Sequence, residues 1–226
     1  MSHLARLPVI NLDDSGLSFF PRPKLIISEE RLDYTRGSMS TSVLYMSMSL
    51  DGYIAGPNDE PGNPGGDGFM RLHDWYGSGQ PSRISRQVQD EMKATGAVVV
   101  GRRTAEQADH YKGDHHGVPI FVPSHRPPSA SVANYTRVTY VSDGIASAMA
   151  QAKAAAGSRN VLVHGAYTAQ RALEAGVLDE LQIHQIPVLF GGGRRLFEVV
   201  PRRIELEIVH VIDTPEATHI RYRVRR

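Results

Sequence analysis

Four short runs of apolar, largely β-branched residues recur at 97–100, 118–122, 138–141 and 161–163. Runs this short and this apolar suit strands buried on both faces, as in a parallel sheet covered by helices. Helical patterns stand between them. From 82 to 95, Ile84, Val88 and Met92 recur every four positions, with Ser82 as the expected N-cap and Gly96 as the stop. Residues 145–156 form an alanine-rich helix stopped by Gly157, and 168–175 form another stopped by Gly176. Strands alternating with helices predict an α/β fold with a mostly parallel sheet.

Both ends of the chain depart from this rhythm. Residues 1–41 hold scattered apolar residues, three prolines and no sustained period, and read as a loosely ordered N-terminal extension. The domain is expected over 42–226. Its first strand covers 43–50 and ends at Asp51-Gly52, a turn signal, and a Gly/Pro/Asn/Asp-rich loop follows over 56–68. A further strand is expected over 181–190, leading to Gly191-Gly192-Gly193. Thereafter apolar and polar residues alternate. Ile204, Leu206 and Ile208 form one set, and Thr218, Ile220, Tyr222 and Val224 alternate with His219, Arg221, Arg223 and Arg225. Alternation predicts an antiparallel hairpin with one wet face.

Composition narrows the function classes. The chain has 226 residues, no cysteine and a formal net charge of +1. Disulfides and thiolate chemistry are excluded, and a cytoplasmic setting is expected. Nothing approaches the ~20 apolar residues of a membrane span, and the near-neutral charge argues against nucleic acid as a partner. His110, His115 and His116 lie near Asp109 and Asp114 without regular ligand spacing. No metal is expected there, though a metal-dependent hydrolase is the reading that loop would carry.

The chemistry-bearing residues sit at strand ends, where open α/β sheets bind ligands. Gly101-Arg102-Arg103-Thr104 combines a small residue, two guanidinium groups and a helix cap, a set that suits phosphate or an ordinary helix start. Ser124 and Arg126 suit a phosphate monoester, such as the 2′-phosphate of NADP, or a polar turn. Gly165-Ala166-Tyr167-Thr168 is a small-residue strand-to-helix turn that could hold a pyrophosphate or merely pack tightly. Neither G-x-G-x-x-G nor a Walker motif is present. Asp51 could bind an amino-heterocycle or deliver a proton, or simply make a turn.

Taken together, these segments resemble the RibD C-terminal domain family of dihydrofolate-reductase-like reductases. The resemblance runs over about residues 43–200. It is carried by Met48-Ser49-Leu50-Asp51-Gly52-Tyr53-Ile54-Ala55, Val98-Val99-Val100-Gly101-Arg102-Arg103-Thr104, Val161-Leu162-Val163-His164-Gly165 and Pro187-Val188-Leu189-Phe190-Gly191-Gly192-Gly193. It implies a three-layer α/β/α sandwich, and an NADPH-dependent reductase of a pyrimidine- or pterin-like heterocycle such as the one reduced in riboflavin synthesis. It places Ala55, Gly101, Arg102, Arg103, Thr104, Ser124, Arg126, Gly165, Ala166, Tyr167 and Thr168 at the cofactor. Asp51 would be catalytic, Ser49 and Tyr53 would lie near the substrate, and Trp75 would form a wall. A homodimer is implied, with the C-terminal hairpin a candidate interface. The chain departs from the family at Tyr53, where lysine is usual, at His164, where an acid is usual, and at Ala166, which replaces a glycine. Dihydrofolate-reductase-like activity, or NADPH binding without catalysis, stays open as an alternative.

Overall fold

The computed structural model describes residues 40–77, 83–200 and 202–226. The extension read at 1–41 falls almost wholly outside the described residues, as does the expected N-cap Ser82.

Among the described residues ten strands form: β1 Ser42–Ser49, β2 Tyr53–Ala55, β3 Ala97–Val100, β4 Ile120–Pro123, β5 Val138–Val141, β6 Val161–His164, β7 Glu180–Ile186, β8 Arg194–Arg195, β9 Leu206–Asp213 and β10 Thr218–Val224. Five α-helices accompany them: α1 Asp74–Gly77, α2 Arg83–Lys93, α3 Arg102–Gln107, α4 Gly144–Ala156 and α5 Ala166–Glu174. Eight strands make one sheet in the order β5-β4-β3-β6-β1-β7-β10-β9. The first six are parallel, and β10 runs antiparallel to both β7 and β9. β2 and β8 pair separately. This is the expected mostly parallel sheet finished by a hairpin.

Alternation along the strands divides the core in two. Leu44, Val99, Val161 and Val163 pack against Ala148, Met149 and Ala152 of α4 and Ala169, Ala172 and Leu173 of α5. Val43, Tyr45, Val98, Val100 and Leu162 face the other way and meet Ala105 of α3. The four residues of β3 are wholly inaccessible, as a run buried on both faces requires.

One half-buried anchor ties the start of the sheet together. An Asp179 carboxylate oxygen accepts from the Ser42 amide at 2.9 Å, the Ser42 hydroxyl at 2.9 Å and Lys153 Nζ at 2.6 Å. Burial raises the acid's pKa, but these donors outweigh it and hold Asp179 below the usual carboxylate range.

Two expectations need correcting. The strand read over 181–190 stops at Ile186. Pro187 has no N–H to continue the ladder, and Val188 N instead closes a tight turn on Ile186 O at 2.8 Å. The hairpin's polar side is also only half wet, for Arg223 and Arg225 are exposed while its inner part is covered. His219 is fully buried, and Arg221 Nη2 is paired with Glu180 at 2.8 Å. His219 Nδ1 lies 2.7 Å from His184 Nδ1 on the paired strand. The Trp75 ring stands 4.3 Å from His184 and 4.8 Å from His219. Alternation shows that residues share a face, not what covers it.

A hydrogen bond between two imidazole nitrogens needs one donor and one acceptor, which two neutral rings of opposite tautomer supply. Burial pushes His219 down to about 4 and His184 well below its ordinary range. In the unfolded chain both would titrate near 6.5. Between pH 6.5 and 4 the unfolded state therefore binds more protons, and stability falls as pH falls through that window. We expect His219 alone to contribute roughly 2 kcal/mol to that loss. Urea midpoints at four pH values from 7.5 to 4.5 measure it. His219→Gln should flatten the profile, and an unchanged slope in the variant would refute the assignment.

Candidate functional site

The site forms where two neighbouring strands send their helices to opposite faces. β3 and β6 pair in parallel. Helix α3 leaves β3 toward the Val98 face, and α5 leaves β6 toward the Val99 face. A gap opens between the first turns, at the carboxyl ends of the strands, where open α/β sheets bind ligands.

Two tetrapeptides of one pattern meet in this gap: Gly101-Arg102-Arg103-Thr104 and Gly165-Ala166-Tyr167-Thr168. Each glycine faces the other's threonine. A Cβ on Gly101 would lie 2.5 Å from Thr168 Oγ1, and one on Gly165 would lie 2.9 Å from Thr104 Oγ1. Gly101 has an ordinary φ of −65°, so it is required for space alone. Gly165, at φ +95°, is required for conformation as well. Thr168 Oγ1 is buried and has no hydrogen-bond partner among the described residues. An unsatisfied hydroxyl in such a place is a group prepared for a ligand.

A cavity of about 1070 Å³ opens over this gap. All eleven residues expected at the cofactor line it: Ala55, the tetrapeptides at 101–104 and 165–168, Ser124 and Arg126. At one end, past β4, Ser124 and His125 stand with Arg126, whose guanidinium meets no acceptor among the described residues. Arg102 braces this end, with Nη1 donating to the carbonyls of Arg126 and Pro127 at 2.9 Å each and to Ser124 Oγ at 3.3 Å. Its Nε pairs with Glu106 at 2.7 Å. Tyr167 is exposed, with Arg171 5.0 Å over its ring. The other end is apolar, formed by Met46, Ile54, Pro64, Phe69 and Met70.

Asp59 is the residue the sequence reading missed. It lines the cavity, and its carboxylate is nearly buried. It accepts from Gln107 Nε2 at 2.7 Å and the Gly65 amide at 3.1 Å, and it pairs with Arg103 at 2.9 Å and Arg194 at 3.3 Å. Burial raises its pKa, but Gln107, Gly65 and Arg103 together hold it below the usual range. Its signal was an acid inside a 56–68 loop that is ordered by its own hydrogen bonds, including Gly56 N to Gly65 O at 2.8 Å and Asp67 N to Pro57 O at 2.8 Å.

The four residues expected at the substrate do not line the cavity. Ser49 is fully buried, donating to Asp51 Oδ1 at 2.6 Å and accepting from the Tyr53 amide at 2.9 Å. Asp51 accepts from the Phe190 amide at 3.1 Å and the Gly191 amide at 2.7 Å. The Ser49 hydroxyl first, then these amides, lower its carboxyl to about 2. Asp51 latches the 190–191 turn with both oxygens and is held ionised, the opposite of what proton delivery needs. Tyr53 is covered by Arg195, 4.5 Å over its ring. Trp75 is buried against the histidine pair and donates to Ser47 Oγ at 2.9 Å. It is core, because its large apolar ring fills the space over β7 and β10.

The histidines at 110–116 are structural neighbours of the site. His110 Nε2 meets Tyr140 Oη at 2.8 Å, and Tyr111 Oη meets His164 Nδ1 at 2.9 Å. Burial, then His115 and His73, push His164 down to about 3. Among the described residues, no group of three or more His, Asp or Glu is placed to hold a metal ion, and no helix is long and apolar enough to cross a membrane.

The facing glycine and threonine give a direct test. Gly101→Ala should destabilise the protein by about 1–3 kcal/mol, as overpacking does. Thr168→Ala should be neutral or mildly stabilising without ligand, since it removes an unsatisfied buried hydroxyl. The double variant should recover most of the loss. Urea unfolding of the four proteins closes the cycle, and strict additivity would refute the contact.

The family model of the RibD C-terminal domain matches residues 41–220. No curated protein matches the chain by sequence. Among solved structures, the chain is similar to a protein named for riboflavin biosynthesis from Shewanella sp. PV-4, at 22% identity and a TM-score of 0.65, covering 82% of this chain and 99% of that one. It is similar to the diaminohydroxyphosphoribosylaminopyrimidine deaminase/5-amino-6-(5-phosphoribosylamino)uracil reductase of Thermotoga maritima, at 12% identity and a TM-score of 0.56. That match covers 83% of this chain and 57% of that one. It is also similar to dihydrofolate reductase from Enterococcus faecalis, solved with NADP(H), at 14% identity and a TM-score of 0.51, covering 84% and 99%. With the model spanning most of its length, and with this sheet order and these strand-end turns, the chain belongs to the RibD C-terminal domain family.

Proposed function

We propose that this protein is an NADPH-dependent reductase of a small, flat heterocycle of pyrimidine or pterin type. The observation that carries the reading is one cavity joining a cationic end, at Ser124 and Arg126, to an apolar end, at Met46, Ile54 and Phe69. The glycine-lined gap lies between them. A dinucleotide has this order of parts. The cavity's volume of about 1070 Å³ has room for it and a small second molecule.

The residues fit the cofactor. Arg126 and Ser124 would hold the 2′-phosphate, since a free guanidinium beside a hydroxyl suits a monoester. The gap between Gly101 and Gly165 would admit the pyrophosphate, with the orphaned Thr168 hydroxyl as a donor. Bound there, NADPH supplies the hydride. The chain's own part is orientation, with the apolar end receiving the flat rings. Asp59 is the sole carboxylate among the described residues lining the cavity, and it is held ionised. We therefore assign the proton to solvent entering the cavity, not to Asp51 or Asp59. Dinucleotide binding without catalysis is the reading left if no pyrimidine or pterin is reduced.

Fluorescence titration with NADPH and NADH tests the cofactor site. NADPH should bind more tightly, and Arg126→Ala should weaken NADPH by about tenfold, the scale of one charge-assisted hydrogen bond near the surface, while leaving NADH nearly unchanged. Failure of the wild-type protein to bind NADPH would remove the reading.

We also propose a homodimer built on the free edge of the sheet. Edge strand β9 exposes Leu206, Ile208 and Val211, and an uncovered apolar edge is a surface made for pairing. Light scattering should give twice the chain mass, and Ile208→Glu should halve it. A monomeric wild-type protein would refute this.

A further inference from the structure

The segment after α3 is held in a conformation its residues disfavour. Asp109, His110, Tyr111 and Lys112 have φ of 45°, 50°, 54° and 55°, a left-handed run of four non-glycine residues. Runs like this persist only where the surroundings hold them, and they gather at functional sites. Three side-chain bonds hold this one. Tyr135 Oη donates to Asp109 at 3.2 Å, His110 meets Tyr140 at 2.8 Å, and Tyr111 Oη meets His164 Nδ1 at 2.9 Å.

The third bond differs in where it lands. The backbone carbonyl of His164 also accepts from the Gly101 amide at 3.4 Å. Gly101 immediately precedes α3, and Tyr111 follows it within one turn. His164 therefore grips α3 at both ends, by its main chain at one and its ring at the other. The ring bond crosses from the turn to the end of β6, beside Gly165. A right-handed continuation would lengthen α3 instead of turning the chain back to that strand.

We propose that Tyr111 is a positioning residue for the cavity: its bond to His164 fixes the tilt of α3, and with it the placement of Arg103, Thr104 and Gln107. Without that bond, the turn after α3 keeps its ties at Asp109 and His110 but loses the one that reaches β6. The geometry stands on its own; the choice of NADPH as probe rests on the reductase reading.

Tyr111→Phe removes one hydroxyl and keeps the ring. Tyr135→Phe, which removes the hydroxyl that donates to Asp109 of the same turn without touching His164, is the control. Hydrogen exchange over residues 101–108 of the ligand-free protein should accelerate about tenfold in Tyr111→Phe and not in Tyr135→Phe. NADPH affinity should fall about tenfold in the first variant and stay within twofold in the second, while the two melting temperatures shift alike. Unchanged exchange in Tyr111→Phe, or equal acceleration in both variants, would overturn the proposal. If the wild-type protein binds no NADPH, the exchange comparison still decides, and only the reductase reading falls. Should Tyr111→Phe not fold, His164→Phe removes the ring nitrogen from the other side of the same bond and is held to the same two exchange outcomes.

Discussion

Two helices that leave adjacent parallel strands toward opposite faces diverge from their first turns, and what lines the space between those turns decides how closely they approach. Here it is lined by two glycines, each facing a threonine of the opposite turn. That crossing constrains much of what surrounds it. A side chain at Gly101 would meet Thr168, and a side chain at Gly165 would meet Thr104 while forcing a backbone that L-residues avoid. The same absence of side chains that lets the turns approach leaves backbone and hydroxyl groups facing the cavity. Close packing and ligand access come from one feature here, so they cannot be varied independently.

The sheet that holds these turns in place is anchored at its opposite end. Asp179 collects the start of β1, the approach to β7 and a lysine from α4 on one carboxylate. Under the hairpin the solution is different, with a layer of polar groups closed over by Trp75. His184 and His219 satisfy one another at their Nδ1 atoms, but His219 Nε2 and both polar atoms of the Gln182 side chain have no partner among the described residues. Unsatisfied buried groups cost free energy, so this part of the core is less firmly held than the all-apolar layer around β3. The ligand cavity is built over the firm part.

The legibility of the sequence followed the same division. Runs such as residues 97–100 and 161–163 are readable because a strand buried on both faces admits nothing but apolar residues. The glycine turns are readable because few other residues fit a strand end that closely approaches its neighbour. Every residue assigned to the cofactor from those motifs lines the cavity. The four residues expected at the substrate lie outside the cavity, and the reasons differ by residue. Ser49 and Asp51 look like reactive groups in a motif, yet they spend their hydrogen bonds on each other and on the 190–191 turn. Trp75 looks like a wall, yet it covers His184 and also His219, which alternation puts on a wet face. Such outcomes depend on which distant segment arrives over a strand, and no local pattern carries that information. Asp59 was hidden for the converse reason. A carboxylate in a glycine- and proline-rich loop is the commonest of surface features until Arg103, Arg194 and Gln107 surround it.

Asp59 also determines how the cavity's charge is spread. Arg102, Arg103, Arg126, Arg171 and Arg194 all line it, which counted alone would make a strongly cationic pocket throughout. Their partners change that picture. Arg103 and Arg194 share the Asp59 carboxylate, Arg102 is paired with Glu106, and Arg171 with Glu174. Among the described residues, Arg126 is the cavity's arginine left without a carboxylate. Attraction for a doubly charged phosphate is therefore strongest past β4 and weaker at the apolar end, where a carboxylate already stands between two guanidinium groups. A charge gradient of this kind orients an asymmetric ligand before any close contact forms, because the phosphate-bearing end has one favourable place to go. The near-neutral charge of the whole chain is then no obstacle to binding an anion, since what matters is the one cavity-lining arginine that has no carboxylate partner among the described residues.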